Sequence, residues 1–281
     1  MRIFLTGGTG FIGSHFLNES VNYNFEIRAL KRENSHSRVR IISNPNWRFG
    51  SLSNPEEKDF KDIDTVVHLA SHSANVPYDN LSNCLKVNLF DTLRFFEIAY
   101  KSGVKKFIIT GSCFEYGKKG EEYQFIPPDA PLLPTQTYPA SKAAASIGLI
   151  QWALEKKVSL SVLRLFQIYG EGEFKSRLWP SLINCATNGL DMKMTLGEQV
   201  RDFLYVKDAA KIILDSIKNQ KEDQILVRNI GSGVPLMIRE FAEKIWFENK
   251  AKGKLLIGAL PYREREVMRY VPDINSCYII K

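Results

Sequence analysis

The sequence has no long apolar run and few cysteines. Its longest candidate for a membrane span, residues 147–154, is far shorter than the roughly 18 apolar residues that a span needs. The four cysteines, Cys84, Cys113, Cys185 and Cys277, stand apart, without a C-x-x-C pair or a histidine at metal-site spacing. We therefore expect no membrane crossing, no structural metal and reduced thiols.

The amino terminus also lacks the apolar stretch of about 7–15 residues that marks a secretion signal, so a cytoplasmic location is expected. The 38 Lys and Arg residues outnumber the 31 Asp and Glu residues, which gives a net charge of +7. Such a surplus suits phosphates as well as nucleic acid. Outside residues 31–40, however, the sequence has no sustained basic run and no basic stripe interleaved with aromatics. These features favour a small anionic ligand and argue against nucleic-acid binding.

Short apolar segments alternate with segments of helical spacing through about residue 168. The predicted strands cover residues 2–6, 25–30, 47–50, 65–70, 106–110 and 160–165. Strands that alternate with helices form parallel sheets with helices on both faces. The predicted fold class is therefore α/β, with a Rossmann-like, doubly wound parallel sheet.

The pattern changes after about Ile168, where the elements become shorter and Gly and Pro more frequent. Two helices are predicted in this part, at residues 207–218 and 236–248. We predict a dinucleotide-binding Rossmann domain over residues 1–168. Residues 169–281 are predicted to form mainly a smaller, mixed α/β substrate-binding lobe that is interleaved with the first domain.

A glycine-rich turn directly follows the first predicted strand. Gly7, Gly10 and Gly13 have the spacing G-x-x-G-x-x-G, and Phe11 and Ile12 open the helical pattern that comes next. A strand, a glycine turn and a helix amino terminus together present free N–H groups and a positive dipole end to a diphosphate. These five residues are predicted to contact a dinucleotide, with a merely tight turn as the alternative.

Two cations stand at the end of the second predicted strand, Lys31 and Arg32. An acidic residue at this place would accept a hydrogen bond from the ribose 2′-hydroxyl of NAD. Two cations cannot do so, but they suit a 2′-phosphate. The pair therefore favours NADP(H) as the cofactor, and the alternative is a solvated basic loop tip.

Tyr138 and Lys142 are four residues apart in a segment of helical spacing. Residues at this spacing share one helix face, so the ammonium can lie close to the phenol. A nearby cation favours phenolate and would lower the tyrosine pKa from its usual value of about 10. Tyr138 is thus predicted to act as a general acid or base.

Ser112 follows the strand predicted at residues 106–110, at the edge where parallel sheets place ligand contacts. Its hydroxyl group could donate a hydrogen bond to a substrate carbonyl oxygen. Cys113 comes next, at the substrate side of the predicted site, and is interpreted mainly as a packing residue. Glu115 is a carboxylate that could contact substrate or simply solvent.

The order of these motifs resembles the short-chain dehydrogenase/reductase family, in particular its extended branch that acts on nucleotide sugars. The resemblance covers nearly the whole chain. Besides the glycine turn, the serine strand end and Tyr-x-x-x-Lys, the matching segments are His68-Leu69-Ala70, Asn88 and residues 164–170, 201–208 and 229–233.

The resemblance implies roles for individual residues. Tyr138 would donate the proton, Lys142 would also bind the nicotinamide ribose, and Ser112 would orient the substrate oxygen. Further cofactor contacts would come from Leu69, Ala70 and Asn88. The resemblance also implies a homodimer, formed through the helices around residues 85–100 and 143–155.

Arg201 and Arg263 fall where this branch of the family uses guanidinium groups on the diphosphate of the sugar nucleotide, which suits the planar fork of donors of arginine. Both could instead be surface residues that favour solubility. Arg265 is a near neighbour of Arg263 and could be the residue that matches this place in the pattern.

The branch contains 4,6-dehydratases, 4-epimerases and 4-ketoreductases. The dehydratases carry Thr-Asp-Glu where this chain has Ser112, Cys113 and Phe114, which disfavours removal of water. Lys31 and Arg32 favour a reductase, because a reductase consumes fresh NADPH whereas an epimerase keeps NAD. The expected reaction is NADPH-dependent reduction of the C4 keto group of a nucleoside-diphosphate 4-keto-6-deoxyhexose, with a dTDP sugar as first candidate and a CDP sugar as second. The alternatives are an NAD-dependent nucleotide-sugar 4-epimerase and a redox-silent NADP-binding regulator.

Overall fold

A computed structural model describes residues 1–264 and 266–280 of the chain. Its main element is a sheet of eight strands, seven of them parallel. The last strand pairs antiparallel at one edge. In spatial order the strands are β14 (Tyr278–Ile280), β10 (Ile225–Ile230), β6 (Ser159–Leu165), β5 (Lys106–Ser112), β4 (Thr65–His68), β1 (Arg2–Thr6), β2 (Glu26–Lys31) and β3 (Asn46–Phe49).

The chain order of the parallel strands reverses between β1 and β4. From β1 the chain proceeds outward to β2 and β3, and it then returns to place β4, β5 and β6 on the other side. In an open α/β sheet, such a reversal leaves a crevice beyond the carboxyl ends of the two central strands, where ligands bind. The predicted doubly wound Rossmann-like sheet is thus confirmed.

Helices cover both faces of the sheet, because the apolar residues of the strands point alternately to either side. The helices are α1 (Phe11–Glu19), α2 (Leu81–Leu85), α3 (Thr92–Lys101), α4 (Thr137–Lys156), α5 (Leu178–Asn188), α6 (Val206–Lys218) and α7 (Ile238–Glu248), and a π-helical turn (Lys86–Asp91) joins α2 to α3. One core contains Ile3 and Leu5 of β1 with residues of α1 and α6. The opposite core contains Phe4 of β1 with residues of α3 and α4.

The smaller lobe is built from short strands and two helices. Four strands form its main sheet, β7 (Gln167–Tyr169), β9 (Val200–Tyr205), β11 (Pro235–Met237) and β13 (Arg269–Tyr270), and β8 (Met192–Lys193) pairs with β12 (Leu255–Leu256). Helices α5 and α7 share an apolar core with this region. The chain returns to the large sheet as β10, between α6 and β11, and again as β14, after β13. The division of the chain at residues 168 and 169 stays a prediction.

No helix in the described part of the chain is both long enough and apolar enough to span a membrane.

Candidate active site

A crevice of about 1180 Å³ opens at the carboxyl ends of the parallel strands. It runs continuously from the glycine turn after β1, past the ends of β4 and β5, to the segment that follows β6. Its walls include Gly7, Gly10–Gly13, Arg32, Ser35–Arg38, Leu69–Pro77, Thr110–Phe114, Tyr138, Lys142, Leu165–Ile168, Gly172–Phe174 and Arg177. The crevice therefore lies where the strand order reverses, between β1 and β4.

The glycine turn is shaped by close backbone approaches that a side chain would prevent. Gly7 has a φ of +75°, and a Cβ atom there would come within 2.6 Å of the backbone of Leu69 and Ala70. A Cβ atom on Gly13 would collide with the carbonyl oxygen of Gly7. Gly10 caps α1 and adds no side chain in front of the first helical N–H groups. The turn therefore leaves a cradle that fits a dinucleotide diphosphate, as the sequence predicts.

The two cations at the end of β2, Lys31 and Arg32, have different surroundings. Arg32 lines the crevice and also an adjoining pocket of about 730 Å³. The Lys31 ammonium lies over the rings of Trp47 and Phe49, 5.4 and 6.0 Å from their centroids. The aromatic side chains of the neighbouring strand β3 thus contact the Lys31 ammonium, and Lys31 is not among the residues that line the crevice, so its contact with the cofactor stays a prediction.

Two loops meet across the cofactor end of the crevice. The backbone N–H of Arg38 donates to the Thr9 carbonyl oxygen at 3.1 Å, which holds the loop after β2 against the glycine turn. The guanidinium of Arg38 lies 5.9 Å from the ring centroid of Phe174 in the loop after β7. Arg38 is thus a second crevice cation near the diphosphate cradle, and the sequence analysis did not single it out.

The predicted chemical groups come together at the centre of the crevice. Tyr138 and Lys142 lie on the first turns of α4, are 8% and 6% exposed, and both line the crevice. The Lys142 ammonium donates to the Thr110 carbonyl oxygen on β5 at 2.6 Å. Ser112, two residues farther along β5, lines the same space, and its hydroxyl accepts a hydrogen bond from the Phe114 N–H at 3.2 Å. A phenol, an ammonium and a hydroxyl group therefore face one cavity.

Burial governs the protonation of these groups. It raises the pKa of Tyr138 above the usual value, and the nearby Glu115 and Tyr78 act in the same direction while a hydrogen bond from Ser71 opposes them. Burial also lowers the pKa of Lys142. The predicted lowering of the Tyr138 pKa is therefore contradicted in this structure, where desolvation raises that pKa. A phenol in this state keeps its proton at neutral pH and is suited to donate it.

Buried polar residues support the floor and wall of the crevice. His68 contacts the hydroxyl groups of Thr6 at 2.8 Å and Thr92 at 3.3 Å. Burial, followed by the charge of Lys142, lowers the pKa of His68 to about 3, so its ring is neutral. Asn88 was predicted to contact the cofactor, but it does not line the crevice.

Asn88 instead holds the crevice wall from behind. Its side chain accepts from the N–H of His72 at 2.8 Å and donates to the carbonyl oxygen of that residue at 3.2 Å. It also donates to the Ser141 hydroxyl on α4 at 2.9 Å. Asn88 thus links the wall to the helix of Tyr138, and its contact with the cofactor stays a prediction.

Of the residues predicted at the substrate side, Cys113 lines the crevice and Glu115 does not. Cys113 lines the crevice, packs among Tyr116 and Phe166, and has a pKa raised to about 12 by burial, so it remains a thiol. Glu115 is fully buried and both of its carboxylate oxygens accept hydrogen bonds within the protein. The predicted contact of Glu115 with substrate is therefore corrected, because no part of its side chain reaches the surface.

Neither of the two predicted diphosphate arginines lines the crevice. Arg201 is 7% exposed and donates to Glu266 at 3.1 Å and to the Val267 carbonyl oxygen at 2.6 Å. Arg263 is exposed, and its charge acts on the pKa of Tyr78 beside the crevice. Arg265, the neighbour named with it, lies outside the described residues.

Sequence reasoning missed Arg177, which does line the crevice. Its guanidinium donates to Glu173 at 3.2 Å and to the Gln167 side chain at 3.2 Å. Arg177 directly precedes α5 and follows a loop that contains Gly170 and Gly172. This glycine-containing loop between a strand and a helix is the sequence feature that could have indicated Arg177. No group of His, Cys, Asp or Glu within the described ranges could hold a metal ion.

Comparison with known proteins agrees with this geometry. The family model of the NAD-dependent epimerase/dehydratase family matches residues 3–231. The CDP-abequose synthase of Salmonella muenchen is 26% identical over 270 residues, which cover 95% of this chain and 87% of that protein. The dTDP-4-dehydro-6-deoxyglucose reductase of Escherichia coli is 27% identical, covering 91% and 84%.

Among solved structures, the UDP-glucose 4-epimerase of Thermotoga maritima has the same fold, with a TM-score of 0.84 at 22% identity over 98% of this chain and 90% of that one. The family match spans both the glycine turn and Tyr138-x-x-x-Lys142, the two parts that the crevice joins. The chain belongs to the NAD-dependent epimerase/dehydratase family, in the extended branch of the short-chain dehydrogenases/reductases.

Proposed function

We propose that this protein uses NADPH to reduce the C4 keto group of a nucleoside-diphosphate 4-keto-6-deoxyhexose. The observation that carries the proposal is the continuity of the crevice. The glycine turn, the cation Arg32 and the group formed by Ser112, Tyr138 and Lys142 line one space. A dinucleotide held at the glycine turn would therefore share this space with a sugar beside Tyr138.

The side chains divide the chemistry among them. When bound, the reduced nicotinamide supplies a hydride to the carbonyl carbon of the sugar. Tyr138 donates the proton to the carbonyl oxygen, a contribution of typically about 10²–10⁴-fold. The Ser112 hydroxyl donates a hydrogen bond to the same oxygen and stabilises the charge that develops there. Lys142 places a positive charge beside both groups.

The state of Tyr138 suits the proposed reduction. Burial raises the pKa of Tyr138 and so favours the protonated acid that a ketone reduction needs. Two relatives, the CDP-abequose synthase and the dTDP-4-dehydro-6-deoxyglucose reductase, also support sugar nucleotides with cytidine or thymidine as the base.

The arginine side chains that line the crevice support the proposal that its ligand carries a diphosphate. Arg177 is held by Glu173 and Gln167, so its guanidinium is fixed in orientation before any ligand arrives. We propose that Arg177 contacts the diphosphate of the sugar nucleotide, with Arg263 approaching from the side of Tyr78. Arg201 would reach the ligand only by exchanging its contact with Glu266.

The activity is tested by mixing the protein with NADPH and a panel of dTDP-, CDP- and UDP-linked 4-keto-6-deoxyhexoses and following the absorbance of reduced nicotinamide. We expect stoichiometric loss of NADPH with at least one of these sugars. Tyr138→Phe removes only the proton donor, so kcat should fall by about 10²–10⁴-fold. Binding of NADPH, measured by its fluorescence, should stay nearly unchanged.

Tyr23→Phe is the matched control, because the Tyr23 hydroxyl donates to Asp215 and Tyr23 is not among the residues that line the crevice. This variant should keep wild-type turnover. Fluorescence of bound NADPH that no sugar nucleotide can quench or oxidise would instead indicate a redox-silent regulator. A Tyr138→Phe variant with near-wild-type kcat would remove Tyr138 as the acid.

The preference for NADPH is tested with Arg32→Ser. A hydrogen bond to a charged group contributes about 1.5–3 kcal/mol, so KM for NADPH should rise roughly tenfold to a hundredfold. KM for NADH should change by less than about twofold, because NADH has no 2′-phosphate to lose a partner. Steady-state kinetics with both cofactors measure the two values.

Lys31→Ser provides the comparison, since the ammonium of Lys31 lies over aromatic rings of β3. Its effect on KM for NADPH should be much smaller than that of Arg32→Ser. Equal increases for NADPH and NADH in the Arg32→Ser variant would contradict a 2′-phosphate contact.

We also propose a homodimer, formed through the helices around residues 85–100 and 143–155. Gly148 of α4 packs against Leu89, and the apolar side chains of Phe90, Ile147 and Leu154 on these helices are 61%, 60% and 36% exposed. Apolar side chains clustered on adjacent helices are typical of an interface. Light scattering should therefore give twice the chain mass of 32.1 kDa.

Ile147→Glu should shift that mass toward the monomer, because it places a charge in the proposed interface. Phe247→Glu is the control, as Phe247 lies on α7 of the smaller lobe and is 85% exposed. A wild-type protein that scatters as a monomer would contradict the proposed interface.

A further inference from the structure

The Glu115 carboxylate lies immediately behind the crevice wall and has no exposed surface. One of its oxygens accepts the backbone N–H of Ser112 at 2.7 Å. The other accepts the Ser146 hydroxyl at 2.8 Å and the Nε of Arg164 at 2.9 Å. A single side chain thus connects the end of β5, the helix α4 and the strand β6.

The surrounding residues are shaped to hold this carboxylate. A Cβ atom on Gly111 would come within 2.7 Å of a Glu115 oxygen, so glycine at this position leaves room for it. Arg164 is itself fixed, because it donates to the Tyr116 hydroxyl at 3.0 Å and to the Pro128 carbonyl oxygen at 2.7 Å. The Glu115 carboxylate is therefore held by a fixed partner on β6, Arg164, as well as by the backbone of β5.

The connection to α4 reaches the helix turn next to the chemical groups. Ser146 is four residues after Lys142 and lies on the same helix face. Lys142 itself is bonded to Thr110 on β5. Helix α4 is thus joined to the end of β5 at two successive turns, once through Lys142 and once through Ser146 and Glu115.

The charge of Glu115 also acts on the buried ammonium. Burial lowers the pKa of Lys142, and the Glu115 carboxylate opposes that effect. The buried Glu115 carboxylate therefore favours the charged form of the lysine.

We propose that Glu115 is a positioning residue, whose buried carboxylate fixes the Ser112 end of β5 against the helix that carries Tyr138 and Lys142. This inference rests on the proposed function for its kinetic consequence, because Ser112 and Tyr138 must face the same substrate oxygen. Glu115 itself touches no ligand and acts only through these residues.

The kinetic test uses Glu115→Gln and Ser146→Ala. Misplacement of a catalytic group by about 1 Å costs about a hundredfold, so Glu115→Gln should lower kcat roughly tenfold to a hundredfold. Ser146→Ala removes one hydrogen bond and should lower kcat roughly twofold to tenfold. KM for the sugar nucleotide should change by less than about twofold in both, because neither residue contacts it. Rates are expressed per bound NADPH, which counts only folded molecules.

Ser161→Ala is the matched control. Ser161 lies on β6, is 2% exposed against 1% for Ser146, and its hydroxyl contacts Gln220 instead of the network of Glu115. This variant should keep the wild-type kcat. If Glu115→Gln fails to fold, Ser146→Ala compared with Ser161→Ala decides the question. Wild-type kcat in Ser146→Ala, or an equal loss in Ser161→Ala, overturns the proposal.

Hydrogen–deuterium exchange separates this proposal from the proposed function, since it requires no turnover. In Ser146→Ala, exchange should rise together in peptides covering residues 110–116 and 138–150, and in Ser161→Ala it should rise in neither. A rise confined to one segment overturns the positioning role. A wild-type protein that turns over no sugar nucleotide contradicts the proposed function, and the exchange data then decide the role of Glu115 alone.

Discussion

The hydrogen bond from the buried Lys142 ammonium to the Thr110 carbonyl oxygen is the contact on which the arrangement of the site depends. It joins the first turns of α4 to the last residues of β5, so Tyr138 and Ser112 face one space. A charged group is retained in such a position only where partners compensate for its desolvation. The backbone carbonyl oxygen provides one partner, and the Glu115 carboxylate provides the nearby negative charge.

The sheet determines where this contact meets a ligand. Because the strand order reverses between β1 and β4, the carboxyl ends of the strands open into a crevice, with the glycine turn on one side and α4 on the other. Gly7 allows the end of β4 to approach the turn closely. The proposed cofactor site and the proposed proton donor are thereby held on regular elements, and Arg38 of the loop after β2 contacts Phe174 of the loop after β7.

The sequence predicted the parts of the site that depend on local pattern. The glycine turn and the Tyr138–Lys142 pair each lie within one element and its neighbour, and the structure brings them into one crevice. Other properties depended on residues remote in sequence. Glu115 is buried by Ser146 and Arg164, which are 31 and 49 residues away. The rings that hold Lys31 belong to a different strand, and the raised pKa of Tyr138 results from burial, which no local motif reports.

The central claim is that the protein reduces a C4 ketone beside Tyr138 and does not invert a C4 hydroxyl. It is tested most directly with NADPH that carries deuterium at both positions of its reactive carbon, mixed with a 4-keto nucleotide sugar or with the matching sugar that carries a C4 hydroxyl. The account predicts one deuterium at C4 of each product sugar and one NADP⁺ formed per sugar, detected by mass spectrometry and nuclear magnetic resonance. Inversion at C4 of the sugar that carries a C4 hydroxyl, with no deuterium incorporated and no net loss of NADPH, would contradict the account and indicate a 4-epimerase.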